Sequence, residues 1–391
     1  MADYSMKSYG RNAEVAELFG RLKAGKDISQ HGPRRLGKTF VLERMVEQAS
    51  AYGFICVKVE IPGCTDQKTV FRQLCGEIGN HRSLGKKTVA YLTQRMSQVL
   101  SPRGEQVGPW YQPILGVDWE SYLERLLGAL QDDPGQQWAI LIDELPIFLK
   151  ALHDKGEVGV KEARDFMNLF SRLRAAKPRV RWLITGSIGI DPLAKVGQYT
   201  GALAKFDNFE LKPLSEPQAH DYLRDLARIG SIQSRSHITD PEAQAITDAV
   251  GWRAAYYLEA LARHLPPNPE TDAAKVEGNI AAAMSELLKQ HNSATFGVWE
   301  EHLRKHHPVG QRQLSFDILN ALARHPAGLT LDGILASMGD AVQDREQLRH
   351  HLFLMIAEGF LLQEPYGDEA APYRFRLVPL QSWWALYRPQ P

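Results

Sequence analysis

The sequence predicts an α/β protein. A parallel β-sheet flanked by helices fills the part up to Leu211, an all-helical region follows, and a small domain of three helices and a β-hairpin ends the chain. Three observations carry this. Residues 32–39 read Gly-Pro-Arg-Arg-Leu-Gly-Lys-Thr, a G-x-x-x-x-G-K-[ST] loop set between a short strand and a helix. Residues 138–144 read Trp-Ala-Ile-Leu-Ile-Asp-Glu. That is an apolar run suited to a strand buried on both faces, with two acids at its C-terminal end, where open α/β sheets bind ligands. Segments of strand and helix character alternate up to Leu211, the pattern of parallel strands joined by crossovers.

The first strand is Asp27–His31, running into the loop. A loop of this pattern arises by chance in about one chain in a hundred of this length. Its glycines, Gly32 and Gly37, allow backbone conformations closed to other residues, so that successive N–H groups line one concavity. Pro33, Arg34, Arg35 and Leu36 complete the loop, and Phe40 opens the helix with apolar residues at helical spacing. The positive end of that helix favours an anion. In this pattern Lys38 reaches the β- and γ-phosphates and Thr39 places its hydroxyl on Mg²⁺. The bland alternative is a Gly-rich turn before an ordinary helix.

Phe54–Ile61 is the second strand. Helical stretches and a Pro/Gly-rich piece from Ser101 to Gly116 separate it from the third, Ala139–Asp143. There Asp143 is expected to hold Mg²⁺ through water, and Glu144 to orient or deprotonate the attacking water. The fourth strand, Arg181–Thr185, runs into Gly186 and Ser187. A hydroxyl of Thr185 or Ser187 at this strand end is positioned to touch a γ-phosphate or the lytic water. Phe206–Leu211 is the fifth strand.

Residues 212–265 read as helix, with Ser215-Glu216-Pro217 as a helix start. Pro266-Pro267-Asn268-Pro269 breaks the pattern, and helix resumes through Trp299 to about residue 310. In 311–391, Leu314, Ile318, Leu319 and Leu322 mark one helix, Leu329–Met338 a second and Asp344–Glu358 a third, closed by Gly359. Two strands, 360–364 and 373–377, flank a turn at Gly367-Asp368. Three helices and a hairpin in this order predict a winged helix-turn-helix.

Composition fits a protein of two or three domains. The chain has 391 residues, 44% hydrophobic and 24% charged, ordinary for a globular protein. Net charge is zero, so no global field draws it to nucleic acid or membrane. No apolar run reaches 18 residues and the start lacks a signal-peptide core, so the expectation is a cytoplasmic protein with no membrane partner. Three cysteines, Cys56, Cys64 and Cys75, lack disulfide or zinc spacing. The thirteen histidines, including His306-His307 and His350-His351, show no metal-ligand spacing.

The last domain is a poor candidate for DNA. Arg345, Arg349 and His350 lie on its third helix, but residues 311–391 hold seven arginines and no lysine against nine acids, a net −2. Asp368 and Glu369 mark the wing tip. Phosphate contacts supply most nucleic-acid affinity. Two acid-free basic stretches, His81–Arg103 and Ser171–Arg181, are alternative faces for a polyanion or a neighbouring nucleotide; a solvated helix face is the simpler reading of each.

The order of motifs resembles the AAA+ superfamily, and within it the signal-transduction ATPases with numerous domains (STAND) and the related archaeal-type ATPases. The residues that carry the resemblance are Tyr9-Gly10-Arg11 with Glu14 and Leu18, the 31–39 loop, Leu141–Glu144, Leu183–Ser187, Phe209–Ser215 and Gly251–Leu258. They extend over nearly the whole chain. The resemblance implies a P-loop ATPase domain (1–211), a helical lid (212–265), a helical linker (266–310) and a winged helix-turn-helix (311–391). It implies ATP and Mg²⁺ as ligands, with Tyr9, Gly10 and Arg11 near the adenine, Gly32–Thr39 as Walker A, and Asp143 and Glu144 as Walker B. Thr185 or Ser187 takes the sensor-1 place and Arg253 a sensor-2 place. Two departures stand out. The lid segment reads Gly251-Trp252-Arg253-Ala254 where the family has Gly followed shortly by Pro. Residues 188–211 hold Lys195 and Lys205 but no arginine to act as a finger. The second departure favours a slow switch over a fast ring motor.

Two function classes follow. One is a Mg²⁺-dependent ATPase switch whose nucleotide state controls oligomerisation or docking of a separate effector, as in signalling, stress or defence. The other is a DNA-engaging AAA+ protein such as a loader or a transposition or transcription regulator. A P-loop protein that binds but barely hydrolyses nucleotide is a third, against which Glu144 argues.

Overall fold

A computed structural model describes residues 11–61, 63–81 and 118–388, apart from 134, 136, 189, 233–234, 308, 340–343 and 369. Tyr9, Gly10, the Ser101–Gly116 piece, most of the His81–Arg103 stretch and Glu369 lie outside these residues. The described chain forms two compact units. One comprises Arg11–His31 and Lys38–Leu211; the other comprises Gly32–Gly37 and the residues from Lys212 on.

The first unit is an α/β layer structure. Its elements are α1 (Asn12–Lys23), β1 (Asp27–His31), α2 (Lys38–Gln48), β2 (Phe54–Glu60), α3 (Gln67–Gly79), α4 (Trp119–Gln131), β3 (Gln137–Asp143), α5 (Leu145–His153), α6 (Glu157–Ala176), β4 (Val180–Gly186), α7 (Ile190–Gly197), α8 (Thr200–Leu203) and β5 (Phe206–Glu210). The strands make one parallel sheet in the order β2-β3-β4-β1-β5. All five lie where the sequence places them, within two residues at each end. The apolar run Trp138–Ile142 is wholly buried, because a strand with helices on both faces has no solvent side. Phe170 meets Trp182 edge-on at 4.8 Å, and Phe166 meets Phe148 in the same way at 5.2 Å. α1 buries Val15, Leu18, Phe19 and Leu22, one face of a 3.6-residue period.

The sheet order matters for the site. β1 lies between β4 and β5, but the chain leaving it crosses to β2 at the far edge. Such a reversal of direction opens a crevice at the C-terminal ends of the strands. The start of α2 and the ends of β3 and β4 meet at that edge.

The second unit holds α9 (Glu216–Arg228), α10 (Asp240–Val250), α11 (Ala255–Ala262), α12 (Ala273–Leu287), α13 (Ala294–His306), α14 (Val309–Ala323), α15 (Leu331–Met338), α16 (Arg345–Ala357), β6 (Leu361–Gln363), β7 (Tyr373–Phe375) and α17 (Val378–Tyr387). Ser215 caps α9 in a reciprocal box with Gln218, and Thr239 caps α10 in the same way with Glu242. Arg235, fully buried, donates to Glu242 at 2.6 Å, to the Pro266 carbonyl and to the Asn268 carbonyl. The proline-rich breaker is thereby fixed to the α10 cap. The expected three helices and antiparallel hairpin follow in order. One helix was not expected, α17. Its Trp383 and Trp384 are buried, and Trp384 donates its indole N–H to Asn320 of α14 at 2.8 Å.

Candidate nucleotide-binding site

The site begins where β1 ends. Two residues of the loop hold left-handed backbone, Arg35 at φ 65° and Gly37 at φ 97°. Gly37 adopts this without strain; Arg35 does not, at a cost of about 1–2 kcal/mol. The Arg35 guanidinium sits over the Tyr256 ring, 4.4 Å from its centroid, and a cation–π contact of that kind contributes about 0.5–1 kcal/mol. Pro33 packs directly on Gly359, where a Cβ would come within 2.4 Å of the Pro33 Cβ. Leu36 is buried, and Gly32 and Arg34 are half-buried. The aromatic ring and the glycine that hold the loop come from far along the chain, and nothing in the sequence pairs them with it.

Lys38 opens α2 and is only 5% exposed. Thr39 follows, with Phe40 half-buried beside it. Thr39 Oγ1 donates to Asp143 Oδ2 at 2.8 Å, which ties the start of α2 to the end of β3. Thr185 Oγ1, on β4, donates to the other Asp143 oxygen and accepts from the Glu144 backbone N–H at 3.2 Å. The Glu144 carboxylate accepts from both the N–H and the hydroxyl of Ser187, each at 2.9 Å. Five of the expected residues thus form one hydrogen-bonded group at the C-terminal edge of the sheet. Asp143 is buried within it and Glu144 is half-buried.

Glu144 itself has φ 60° and ψ 38°. A non-glycine residue in this region is strained by about 1–3 kcal/mol, and such strain persists only where neighbours fix it. Here the Thr185 hydroxyl and Ser187 do so. Gly186 between them has no room for a side chain, because a Cβ would lie 2.4 Å from Pro146 Cγ of α5. The Thr-Gly-Ser turn is therefore shaped by the helix that follows Glu144.

Gln30 is a residue the sequence reading passed over. It is fully buried in β1, and neither atom of its amide has a hydrogen-bond partner. The register sets Gln30 beside Thr185, and Ile142 beside Ile184. Asp143, Thr185 and Gln30 therefore form a row along one face of the sheet. An orphaned buried amide costs about 1–3 kcal/mol. One such group next to the Thr39–Asp143–Thr185 cluster fits a site whose polar atoms are completed by a ligand. The donor set fits as well: a buried lysine at a helix start for phosphate, and a hydroxyl and carboxylate of the kind that suit Mg²⁺.

The remaining candidates sit otherwise. Arg11, buried, precedes α1 and pairs with Glu14 at 2.6 Å. Arg253, in the second unit, donates from Nε to the Leu214 carbonyl at 2.9 Å, and its own carbonyl accepts from Leu214. In the basic stretch 171–181, Arg174 is buried on Asp27 and over Phe206, Arg179 binds the carbonyls of Gln131 and Asp133, and Arg181 binds that of Gly25. These three arginines bind groups of the protein's own fold, Arg174 alone among them buried. Cys56, Cys64 and Cys75 are free and buried, and burial pushes the Cys56 thiol up to about 12. No described helix is long and apolar enough to cross a membrane.

No protein-family model and no curated protein matches the sequence. Solved structures do match. The Walker-type ATPase of Pyrococcus abyssi aligns with a TM-score of 0.65 at 15% identity, covering 96% of this chain and 95% of that one. The ORC2 protein of Aeropyrum pernix, in its ADPNP–ADP complexes, aligns with a TM-score of 0.51 at 13% identity, covering 97% and 92%. At such identities the likeness speaks for fold. The chain has the AAA+-type fold: a parallel-sheet P-loop domain followed by a helical C-terminal region.

Proposed function

We propose that this chain is an ATP-binding and ATP-hydrolysing AAA+ switch of the STAND and archaeal-type group, whose nucleotide state controls oligomerisation or the docking of a partner effector. The observation that carries it is the hydrogen-bonded group of Thr39, Asp143, Glu144, Thr185 and Ser187 at the sheet edge, with Thr39 at the start of α2. Lys38 and the loop N–H groups bind the phosphates. Thr39 and Asp143 would hold Mg²⁺, which when bound would neutralise charge on the phosphates. Glu144 orients and deprotonates water, and Ser187 holds its carboxylate until then. Thr185 fixes Asp143 and the Glu144 backbone together, the sensor-1 position. Tyr9 and Arg11 at the adenine, Arg253 as a lid contact, and the divisions at residues 211, 265 and 310 belong to the same reading.

For the output, the C-terminal hairpin region favours a protein partner. Phe353 on α16 is 51% exposed and Tyr366 in the hairpin turn is 62% exposed, and both line one groove. Exposed aromatics of this kind anchor protein interfaces. The arginines a DNA reader would use are engaged with acids: Arg345 binds Asp332, and Arg349 faces Glu346 at 3.7 Å.

The test is ATP turnover of the purified chain with and without duplex DNA, beside its mass in solution with a slowly hydrolysed ATP analogue. Nucleotide-dependent mass without DNA stimulation is the expected result. DNA stimulation would replace the switch reading with a DNA-engaging one. Lys38→Ala is expected to weaken nucleotide binding by about 10- to 100-fold, since a charged hydrogen bond contributes about 1.5–3 kcal/mol. Unchanged affinity in titration calorimetry would remove the loop assignment.

A further inference from the structure

The second unit contains a buried polar cluster that the nucleotide chemistry does not use. His302 of α13, His307 just beyond that helix and Glu358 at the end of α16 converge. His307 Nε2 lies 2.8 Å and His302 Nε2 3.3 Å from the same Glu358 oxygen, Oε2. The three candidate ligand atoms all lie within 4.8 Å of one another. The side chains are 1%, 5% and 14% exposed for His302, His307 and Glu358.

We propose that His302, His307 and Glu358 form a binding site for a divalent transition-metal ion, with Zn²⁺ the ion that best suits this donor set. Two imidazoles and one carboxylate are standard zinc ligands, and water takes the fourth position of a tetrahedron. Ligand atoms around Zn²⁺ stand about 3.3 Å apart given bond lengths near 2.0–2.1 Å, so a small opening of the present contacts admits the ion.

Proton bookkeeping supports this. Ser315 Oγ has three neighbours: the Gln311 carbonyl at 3.1 Å, His307 Nδ1 at 2.8 Å and His351 Nε2 at 2.8 Å. A serine hydroxyl has one proton to give. When it goes to the carbonyl, which can only accept, both ring nitrogens must donate. His307 then carries a hydrogen on Nδ1, and Nε2 faces the Glu358 oxygen either as a lone pair beside a metal ion or as a second N–H. Two lone pairs at 2.8 Å repel, and a cation between them removes the conflict. The Nδ1–H to Ser315 contact is also the outer-shell bond by which a metal-bound imidazole is oriented. Glu358 adds a second argument. It caps the C-terminal end of α16, where the negative end of the helix disfavours a carboxylate, so a local positive charge is called for. The ion would fasten α13 to α16, next to Gly359 on which Pro33 packs.

The experiment strips the full chain with chelator, dialyses it against Zn²⁺, counts metal per chain by mass spectrometry, and loads Co²⁺ in parallel. About one ion per chain, visible absorption of tetrahedral Co²⁺ and a Tm that rises with Zn²⁺ are expected. His307→Ala and Glu358→Gln should lose that ion, while His306→Ala, altering the neighbouring ring, should keep it. If the stripped wild type, folded by circular dichroism, takes up no ion, the proposal is overturned and the contacts are those of a protonated histidine on Glu358. Equal uptake by a folded His307→Ala variant would overturn it too.

Discussion

Gln30 and Glu144 are the two residues whose conformations make least sense as pure structure. Gln30 buries an amide with no partner, and Leu in its place would relieve that burden. Gln30→Leu is therefore expected to raise stability by about 1–2 kcal/mol in denaturant unfolding while lowering ATP turnover. Equal turnover would make Gln30 a mere packing residue. Glu144 holds strained backbone and a carboxylate tied to Ser187. Glu144→Gln is expected to keep nucleotide bound and slow turnover by about 10²- to 10⁴-fold, the usual contribution of a general base. An unaltered rate would place the base elsewhere. Neither residue's state could be read from composition: orphaning and strain are properties of neighbours, here Thr185 and Ser187, which lie 41 and 43 positions from Glu144 and far more from Gln30.

At the scale of elements, the end of β4 and the start of α5 are interlocked. Gly186 meets Pro146 with no space for a methyl, and forcing one in costs about 1–3 kcal/mol. Gly186→Ala is expected to lower stability by that amount and to displace Ser187 from Glu144. Loss of stability without any change in turnover would show that the Ser187 contact is dispensable. β3 was legible because its apolar run is continuous, as a doubly covered strand requires, and β1 because it runs into the glycine-bounded loop. α17 was not: Leu377 stands at its N-cap and no side chain caps its start. Tertiary partners anchor it: Trp384 donates to Asn320, Gln381 to the Leu322 carbonyl and Tyr387 to the Leu288 carbonyl.

At the scale of the molecule, one titration has a clear sign. Burial pushes the His153 imidazole below its ordinary range, where it meets the Tyr199 hydroxyl at 3.3 Å. The unfolded chain therefore takes up that proton first as pH falls. The His153 contribution is intact above the ordinary histidine value of about 6.5 and is lost progressively below it. Denaturant midpoints should fall from pH 7 toward pH 5, and His153→Gln should flatten that slope; an unchanged slope would assign the loss to other groups. The partner is a whole-molecule question as well. Arg345 and Arg349, both paired with acids, should tolerate reversal to Glu with no change in retention on duplex DNA. A clear loss of retention would favour the DNA-engaging class.

By itself the sequence determined the parallel sheet, the loop that feeds α2, the acids that end β3 and the helix–helix–helix–hairpin order near the C-terminus. Each of these rests on local pattern: glycine spacing, apolar continuity, caps. The tertiary structure decided what those residues touch. It set Thr39, Asp143, Thr185, Glu144 and Ser187 into one hydrogen-bonded group, laid Arg35 over Tyr256, buried Arg174 on Asp27, and drew His302 and His307 to a single oxygen of Glu358. Contacts between residues far apart in the chain depend on register and packing, and a sequence pattern of period two or 3.6 carries no information about either partner.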